Sequence, residues 1–339
     1  MLSVVLERPG ELRLADTPQP GHAEPGMALV RVRRIGVCGT DFHAWFGRQP
    51  FFAFPRILGH ELAVEVLDVP SGSTGAAAGD RCAVEPYLNC GQCPACLIGR
   101  TNCCETLQTL GVHTDGGMRE RLLLPVNKLH PSPLLDADAL ALVETLCIGS
   151  HAVMRSGLGV GDEALVIGAG PIGLGAALAA RAAGAVVRVM DVNPQRLEFA
   201  AAHTGVEGTI RVPQDGAVDD VREAFGGTLP RFVFDATGSA ASMQEAFTLT
   251  GHAGTLVFVG LVRADISFHD PDLHRKELTV LASRNAVAAD FRRVMDLLEA
   301  GHIDLRPWIT HRTALATVPD AFAAWTRPEA GVVKAIIEA

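Results

Sequence analysis

The segment from Gly36 to Glu61 concentrates side chains that can bind a metal ion and transfer protons. It contains one thiol, one hydroxyl, two imidazoles and two carboxylates, on Cys38, Thr40, His43, His60, Asp41 and Glu61. Thiol, imidazole and carboxylate ligands together suit zinc. Three ligands from Cys38, His60 and Glu61 would leave a tetrahedral ion one position for water or substrate, as in catalytic sites. The alternative is a buried cysteine and a core histidine without metal.

A second group of thiols follows in one short loop. Cys90, Cys93, Cys96 and Cys104 have the spacing C-x2-C-x2-C-x7-C, which predicts a closed tetrahedral zinc site. An iron–sulfur cluster or a chance group of buried thiols is the alternative, and Cys103 competes with Cys104 as the fourth ligand. Because four thiolates leave no position for substrate, the expected role of this site is to stabilise a lobe that lacks its own hydrophobic core.

A glycine-rich motif lies between a predicted strand at residues 164–167 and an alanine-rich predicted helix. A second predicted strand ends at Asp191, which is 21 residues after Gly170. These features together form the dinucleotide-binding fingerprint, in which the backbone approaches a pyrophosphate at the N-terminus of the helix. The cofactor contacts predicted within the motif are Gly168, Gly170, Pro171, Ile172 and Gly173.

Two charged residues near the end of the second strand bear on the choice of cofactor. Asp191 would accept hydrogen bonds from the adenosine ribose and repel a 2′-phosphate, which favours NAD over NADP. Arg196 is predicted on the following helix, either beside the adenine or exposed to solvent.

The elements that must position these residues change along the chain. Residues 1 to about 90 alternate as short strands between glycines and prolines, which indicates a compact β-rich unit with its chemistry on loops. A helix is predicted next, capped by Asp136 or Asp138 and ended by Gly157. Glu144 lies among apolar residues of this helix, where a nearby metal or a protein partner must compensate its charge.

The second half of the chain alternates strands and helices. This rhythm predicts a doubly wound parallel sheet of about six strands, and hence an α/β fold. From about residue 291 two helices and a final strand no longer extend the rhythm, so we expect this tail to pack on the N-terminal unit.

Length and composition restrict the class of protein. A chain of 339 residues suggests two domains, and its net charge of −9 without basic clusters argues against nucleic acid or an anionic membrane as partner. We expect no apolar run long enough to span a bilayer and find no export signal at the N-terminus. The eight cysteines are therefore expected to be thiols or metal ligands in a cytoplasmic protein.

The order of a Cys/His/Glu cluster, a four-cysteine loop and a Rossmann unit resembles the zinc-dependent medium-chain dehydrogenases over essentially the whole chain. Within that family the sequence is similar to the polyol and sugar-acid branch of sorbitol, threonine and, most closely, L-galactonate 5-dehydrogenase-type enzymes. The closer likeness is carried by G-T-D-F-H-A-W, Q-P-F-F, C-P-A-C, G-R-T-N-C-C-E, G-V-H-T-D-G-G, F-V-G-L and S-R-N-A.

The resemblance implies two zinc ions per chain. It places Cys38, His60 and Glu61 at the catalytic zinc, with Glu144 as a fourth or exchanging ligand. The four cysteines of the loop match the structural zinc. The family motif at the fourth ligand is usually Glu-Pro, whereas this chain has Glu144 followed by Thr145, so the local helix geometry is less determined.

Other site residues are also implied by the resemblance. Thr40 and His43 match a relay that carries the alcohol proton to solvent, and Asp41 matches a carboxylate that orients a metal-bound histidine. Val259 and Leu261, within F-V-G-L, match contacts to NAD.

The resemblance also implies a division of the chain. It predicts a GroES-like catalytic domain at 1–150 with a structural-zinc lobe at 88–106, a Rossmann NAD-binding domain at 151–284, and a segment at 285–339 that returns to the catalytic domain. The active site would lie in the cleft between the domains, and the protein would be a homo-oligomer, a tetramer or a dimer.

The expected reaction is oxidation of a secondary alcohol of a sugar acid or polyol to a ketone by hydride transfer to NAD. Six aromatic residues lie between Phe42 and Phe54, and Trp45 and Phe51 are candidates for the substrate pocket, with ordinary packing as the alternative. Arg284 could bind a substrate carboxylate, with a contact on the nicotinamide side or a structural ion pair as the alternatives, and Asn285 lies beside it. A sorbitol-, threonine- or simple alcohol dehydrogenase, or a silent NAD-binding sensor, would carry many of the same features.

Overall fold

A computed structural model describes residues 1–48, 52–213 and 216–339. The chain divides into two compact units. The first comprises Met1–Glu144 together with Val287–Ala339, and the second comprises Thr145–Ala286.

The described residues form eighteen strands and ten α-helices. The strands are β1 Leu2–Arg8, β2 Glu11–Asp16, β3 Met27–Val37, β4 Arg56–Ile57, β5 Glu61–Asp68, β6 Arg81–Val84, β7 Tyr87–Leu88, β8 Gln108–Thr109, β9 Arg121–Pro125, β10 Leu129–Pro131, β11 Glu163–Ile167, β12 Val186–Asp191, β13 Gly208–Arg211, β14 Phe232–Asp235, β15 Thr255–Phe258, β16 Thr279–Ala282, β17 Ile309–Ala314 and β18 Lys334–Glu338. The helices are α1 Gly39–Trp45, α2 Pro94–Leu97, α3 Ala137–Ser156, α4 Pro171–Ala182, α5 Pro194–Thr204, α6 Val218–Ala224, α7 Ala240–Leu249, α8 Asp270–Lys276, α9 Ala288–Glu299 and α10 Val318–Trp325. Short 3-10 turns cover Thr101–Cys103, Val126–Lys128, Arg306–Trp308, Leu315–Thr317 and Pro328–Ala330.

The first unit is built on a seven-stranded sheet in the order β10-β6-β5-β3-β18-β17, with β9 also paired to β3. The long strand β3 places Ala28, Val30 and Val32 in the hydrophobic core, as its alternating sequence requires. The last strand of the chain, β18, pairs antiparallel with β3. The tail therefore packs on the N-terminal strands, and the sheet joins residues from both ends of the sequence.

Helix α3 has the ends that its sequence predicts. The side chain of Asp136 accepts a hydrogen bond from the backbone N–H of Ala139 at 2.8 Å, and Gly157 ends the helix in a left-handed conformation with φ of 76°. Contrary to the sequence expectation, α3 is long and apolar enough to cross a membrane by length and composition alone. About 72% of its apolar window is buried within the protein, which is also the behaviour of a core helix.

The second unit contains a six-stranded parallel sheet in the order β13-β12-β11-β14-β15-β16. The prediction of a doubly wound sheet of about six strands is therefore confirmed. Its buried strand residues, such as Leu165, Val233 and Leu256, form the core with apolar residues of the flanking helices. Gly173 permits close packing at the first crossover, because a Cβ there would lie 1.7 Å from the carbonyl oxygen of Gly168.

Candidate functional site

The sheet register brings the two ends of the metal-binding segment together. Gly36, near the end of β3, pairs with Glu61, the first residue of β5. The ligand atoms of Cys38, His60 and Glu61 consequently all lie within 4.8 Å of one another. His60 and Glu61 are buried and Cys38 is half-buried, so the three could hold one metal ion that is largely shielded from solvent.

The position of the Glu61 carboxylate depends on the absence of a side chain at Gly36. A Cβ on Gly36 would lie 2.1 Å from Oε2 of Glu61, which is far inside van der Waals contact. In the part of the chain that the structure describes, this Oε2 has no hydrogen-bond partner. A buried carboxylate oxygen without a partner is costly, and a bound cation would satisfy it.

The other oxygen of Glu61 accepts a hydrogen bond from the ammonium group of Lys334. Lys334 is the first residue of β18, is almost completely buried and also lies 3.4 Å from the carbonyl oxygen of Val37. Burial alone would lower the pKa of Lys334, but Glu61 and Cys38 reverse this effect and raise it above its usual value. Sequence reasoning missed Lys334, although a lysine at the start of the apolar run K-A-I-I was a visible signal.

Asp41 lies in the first turn of α1, close to His60. Its Oδ2 accepts the backbone N–H of Cys38 at 2.9 Å, which fixes the turn that presents the thiol. Its Oδ1 lies 3.9 Å from Nδ1 of His60, too far for a hydrogen bond, and neither atom has another hydrogen-bond partner among the described residues. Burial is the main cause that raises the pKa of Asp41.

The charges around His60 favour a cation at this position. Burial alone would lower the pKa of His60, but the nearby groups of Cys38, Asp41 and Glu144 raise it well above its usual value. An imidazole that attracts a proton this strongly lies in a negative potential, which would equally attract a divalent ion in place of the proton. The residues therefore fit a metal ion.

Glu144 lies outside the group of three ligand atoms that meet within 4.8 Å. Its Oε1 accepts a hydrogen bond from the hydroxyl of Tyr87, a buried residue that sequence reasoning overlooked. Burial, followed by repulsion from Glu61, raises the pKa of Glu144. Helix α3 continues without interruption through Thr145, so the missing proline does not break it. A role for Glu144 as an exchanging ligand stays a prediction.

The predicted relay residues lie on α1. Thr40 is half-buried in the first turn, and His43 is exposed in the last turn. Residues three apart are neighbours on a helix surface, so their order from interior to solvent suits proton transfer outward.

The four-cysteine loop also forms a compact cluster. The sulfur atoms of Cys90, Cys93, Cys96 and Cys104 all lie within 4.8 Å of one another, whereas Cys103 is exposed and outside this group. The backbone N–H of Cys90 donates to Cys104 Sγ at 3.3 Å, and this bond is the main cause that lowers the pKa of Cys104 to about 6. Four thiols of which one already favours the thiolate are suited to a tetrahedral zinc ion.

The predicted cofactor loop joins β11 to α4. Gly170 is the N-cap of α4 and Pro171 is its first residue, with Ile172 following. Because the first N–H groups of a helix lack intrahelical partners, this end can bind a phosphate.

Asp191, at the end of β12, is buried and accepts a hydrogen bond from the same loop. Its carboxylate accepts backbone N–H groups from Ala169 at 2.6 Å and from Asn193 at 2.8 Å. Arg196 is exposed on α5. No sequence pattern singled out Asp235, whose buried carboxylate accepts hydrogen bonds from Thr237 and Ser242 at the end of β14.

Four further predicted residues follow β15 and β16. Val259 donates its N–H to the carbonyl of Asp235 at 2.8 Å, and Leu261 is 75% exposed. Arg284 and Asn285 follow β16 at the carboxyl end of the parallel sheet, with Asn285 at φ of 52°. Phe51 lies outside the described residues.

Trp45 has the environment of a packing residue. Its ring lies 5.5 Å from that of Phe322, which is completely buried in the core of the first unit. Phe42 packs on the same ring at 5.1 Å. This contact supports the packing alternative for Trp45 more than a role in the substrate pocket.

Comparisons with known proteins extend over nearly the whole sequence. Residues 24–134 match the alcohol dehydrogenase GroES-like domain, and residues 171–300 match zinc-binding dehydrogenases. L-galactonate-5-dehydrogenase of Escherichia coli K12 is 43% identical over 322 residues, which cover 94% of this chain and 93% of that protein.

Two solved structures are similar throughout. An alcohol dehydrogenase of Escherichia coli CFT073, complexed with NADH, has a TM-score of 0.93 and 29% identity, and the match covers 100% of this chain and 99% of that one. A Sinorhizobium meliloti 1021 protein of the zinc-binding dehydrogenase type, bound to NADP, has a TM-score of 0.89 and 31% identity, with coverage of 100% and 99%.

Proposed function

Since this chain belongs to the zinc-dependent medium-chain dehydrogenases, as the resemblance of its motifs predicted, we propose that it oxidises a secondary alcohol of a sugar acid or polyol to a ketone, with NAD as hydride acceptor. The family confirms the predicted fold class, an oxidoreductase acting on a CH–OH donor, and zinc with a nicotinamide dinucleotide as cofactors. The observation that carries the proposal is the convergence of Cys38, His60 and Glu61 within 4.8 Å. Three ligands leave a tetrahedral ion one position for the alcohol.

The mechanism combines this cluster with the relay on α1. When bound, zinc supplies a Lewis acid that makes an alcohol hydroxyl more acidic, and the nicotinamide supplies the hydride acceptor. Thr40 accepts the proton of the substrate hydroxyl and passes its own proton outward to His43, which exchanges it with water. Asp41 fixes the turn at Cys38, and Lys334 holds Glu61, so the ligand set is positioned before substrate binds.

Lys334 also balances the charge of the cluster. The Cys38 thiolate and the Glu61 carboxylate would together neutralise a divalent ion, and the ammonium of Lys334 offsets the carboxylate from its other side. The pair holds Oε1 of Glu61, which leaves Oε2 as the oxygen available to the metal. We infer that Lys334 positions Glu61 as a ligand while it reduces the negative charge on it.

The preference for NAD over NADP is supported by Asp191. Two backbone hydrogen bonds hold its carboxylate at the end of β12, beside the glycine loop. A fixed negative charge at this place accepts ribose hydroxyls and repels a 2′-phosphate. A measured preference for NADP would contradict this assignment.

The substrate class is supported by the relative from Escherichia coli that oxidises L-galactonate. We propose that Arg284 binds the carboxylate of a sugar acid, since the carboxyl end of a parallel sheet is the usual side for ligands and a guanidinium can bind a carboxylate with two hydrogen bonds. A neutral polyol would need no such contact.

The test is NAD reduction, followed at the nicotinamide absorbance, by zinc-replete protein on sugar acids, neutral polyols, threonine and simple alcohols. Turnover confined to sugar acids, with a KM that rises at least tenfold in R284Q but little in the exposed control variant R292Q, would support the assignment. Activity on neutral polyols alone would retain the reaction and reject the carboxylate contact. Absence of turnover with both cofactors bound would favour the sensor alternative.

The roles of the domains, the cellular location and the oligomeric state are part of the same proposal. We propose that residues 1–150 and 285–339 form the catalytic domain, that 151–284 bind NAD, and that the enzyme is a cytoplasmic homo-oligomer, a tetramer or a dimer. Among the described residues no disulfide involves any of the eight cysteines, which leaves the thiols that two metal sites require and that a reducing compartment maintains.

A further inference from the structure

A buried ion pair lies beside the four-cysteine loop. Lys128 donates from its ammonium to Oε1 of Glu85, and both side chains are less than a tenth exposed. The second oxygen of Glu85 lies 3.4 Å from Nε2 of His130, whose ring stacks on Phe291 at 4.8 Å. A buried ion pair is tolerated only when further hydrogen bonds satisfy both partners, so the remaining contacts of Lys128 are informative.

The ammonium of Lys128 also donates to Oδ1 of Asn89 at 2.8 Å. Because an ammonium has no acceptor, this contact determines which end of the Asn89 amide is oxygen. The amide nitrogen must then face the opposite way, and Nδ2 lies 3.6 Å from Sγ of Cys96. The chain of contacts therefore runs from Glu85 through Lys128 and Asn89 to a sulfur of the loop.

We propose that Asn89, oriented by the Glu85–Lys128 pair, is a positioning residue for the Cys96 thiolate in a structural zinc site. This inference rests on the zinc-dehydrogenase assignment for the presence of that metal. Four thiolates around a divalent ion carry a net charge of about −2, and N–H donors to sulfur reduce the cost of this charge. Asn89 supplies one such donor, and the Lys128 ammonium behind it polarises the amide in the favourable direction.

The same arrangement has a mechanical consequence. Lys128 precedes β10, and Glu85 follows β6, two strands that pair in the seven-stranded sheet. The backbone N–H of Glu85 also donates to the carbonyl of Lys128 at 2.8 Å. Asn89 thus attaches Cys96, in a loop without its own core, to the edge of the main sheet.

Two substitutions separate this role from a merely structural one. In N89D the side chain keeps its size and an oxygen for Lys128, but an ionised carboxylate has no donor for sulfur and repels the thiolate. If Asn89 served only to satisfy Lys128, N89D would preserve or strengthen the loop. N89A removes both contacts. S132A is the matched control, because it removes hydrogen bonds from a buried side chain whose partners include Glu299 and the backbone of Leu135.

The experiment measures metal release from the zinc-replete full chain to a chromogenic chelator, together with the thiolate-to-metal absorption of cobalt-substituted protein. We expect N89D and N89A to accelerate zinc release from the four-cysteine site about tenfold to a hundredfold. The release phase from the other site and the behaviour of S132A should be unchanged. N89D should also shift the cobalt–thiolate band.

Each result decides the inference. Wild-type release rates and an unchanged cobalt band in N89D would overturn it, and so would a wild-type protein that binds no metal at the four cysteines. If N89A fails to fold, N89D still gives the answer because it preserves shape. Thiolate–metal absorption in a protein that oxidises no alcohol would reject the proposed function while leaving the role of Asn89 intact.

Discussion

The four cysteines of the loop lie within fifteen consecutive residues, whereas the groups around Cys38 come from three distant parts of the chain. Cys38 follows β3, His60 immediately precedes β5, Glu61 begins β5, and Lys334 begins β18. Three strands of one sheet must therefore pair before this cluster exists. We call Cys38, His60, Glu61 and Lys334 the dispersed cluster, and the four cysteines of the loop the local cluster. The local cluster needs only a loop that closes around an ion. We infer that metal binding creates the structure of the loop, while the sheet creates the structure of the other site.

The segment Glu85–Asn89 links the two clusters. Tyr87 donates to Glu144 near the dispersed cluster, and Asn89 contacts Cys96 in the local one. Glu85 anchors the same segment through Lys128. One short segment after β6 therefore contacts both clusters. This shared support is a physical reason for the four-cysteine loop to begin directly after that segment.

The largest expected effect comes from breaking the local cluster. C104S should lower the free energy of unfolding by on the order of 5 kcal/mol, a fraction of the roughly 10–16 kcal/mol that zinc supplies to small metal-dependent folds. C103S is the control one residue away, because Cys103 is exposed and outside the cluster. Denaturant unfolding and zinc content check this prediction. Equal losses in both variants would show that Cys104 is not a ligand.

Breaking the dispersed cluster should abolish activity and leave the fold. C38S should reduce kcat/KM by about 10³-fold or more, because Lewis-acid assistance is worth several kcal/mol and each ~1.4 kcal/mol is tenfold. Its unfolding transition should stay within about 1 kcal/mol of wild type, since β3 and β5 pair without the metal. C82S, in the core away from both clusters, is the control for loss of a buried thiol. Retained zinc at two per chain would contradict the ligand role.

The difference in sequence separation between the two clusters also explains which features could be predicted from the sequence. The spacing of the four cysteines is visible in one line of sequence, as are the glycines of the dinucleotide motif and the cap at Asp136. The six-stranded sheet followed from the alternation of strands and helices, which is local information repeated along the chain.

Contacts that depend on sheet register could not be predicted in this way. Lys334 meets Glu61 only because β18 pairs with β3, and the two residues are 273 positions apart. Tyr87 and Glu144 are 57 positions apart, and Lys128 and Glu85 are 43 apart. The sequence identified Glu144 as a carboxylate in need of a partner, yet no local pattern could say that the partner was a tyrosine.

The contact between Lys334 and Glu61 offers the next test of the dispersed cluster. K334M leaves a buried carboxylate without its cation, and in metal-depleted protein this should cost about 3–5 kcal/mol of unfolding free energy. The double variant E61Q/K334M removes both charges and should recover most of that loss. K334R is the matched control that keeps the charge. A K334M protein as stable as wild type would show that the pair contributes nothing to the sheet.

The smallest effect distinguishes the thiols of the local cluster from a thiol of the core. Cys104 and Cys82 are both buried, so they compare two thiols of similar exposure and different pKa. In metal-depleted protein at pH 7, Cys104 should react faster than Cys82 with iodoacetamide when the loop opens, because the N–H of Cys90 lowers the pKa of Cys104 to about 6. Cys82 should stay unmodified, since burial raises its pKa to about 12. The rate at Cys104 should fall as pH falls through about 6. The stability that its depressed pKa contributes is complete above the pKa of the unfolded thiol, roughly 8.5, and should be lost as pH falls from there to about 6. Mass spectrometry of the labelled peptides measures both sites at once, and of these two thiols zinc should protect only Cys104. Protection of Cys82 by zinc as well would mean that the metal orders the core, so the local cluster would not be as independent of the sheet as its position in the chain implies.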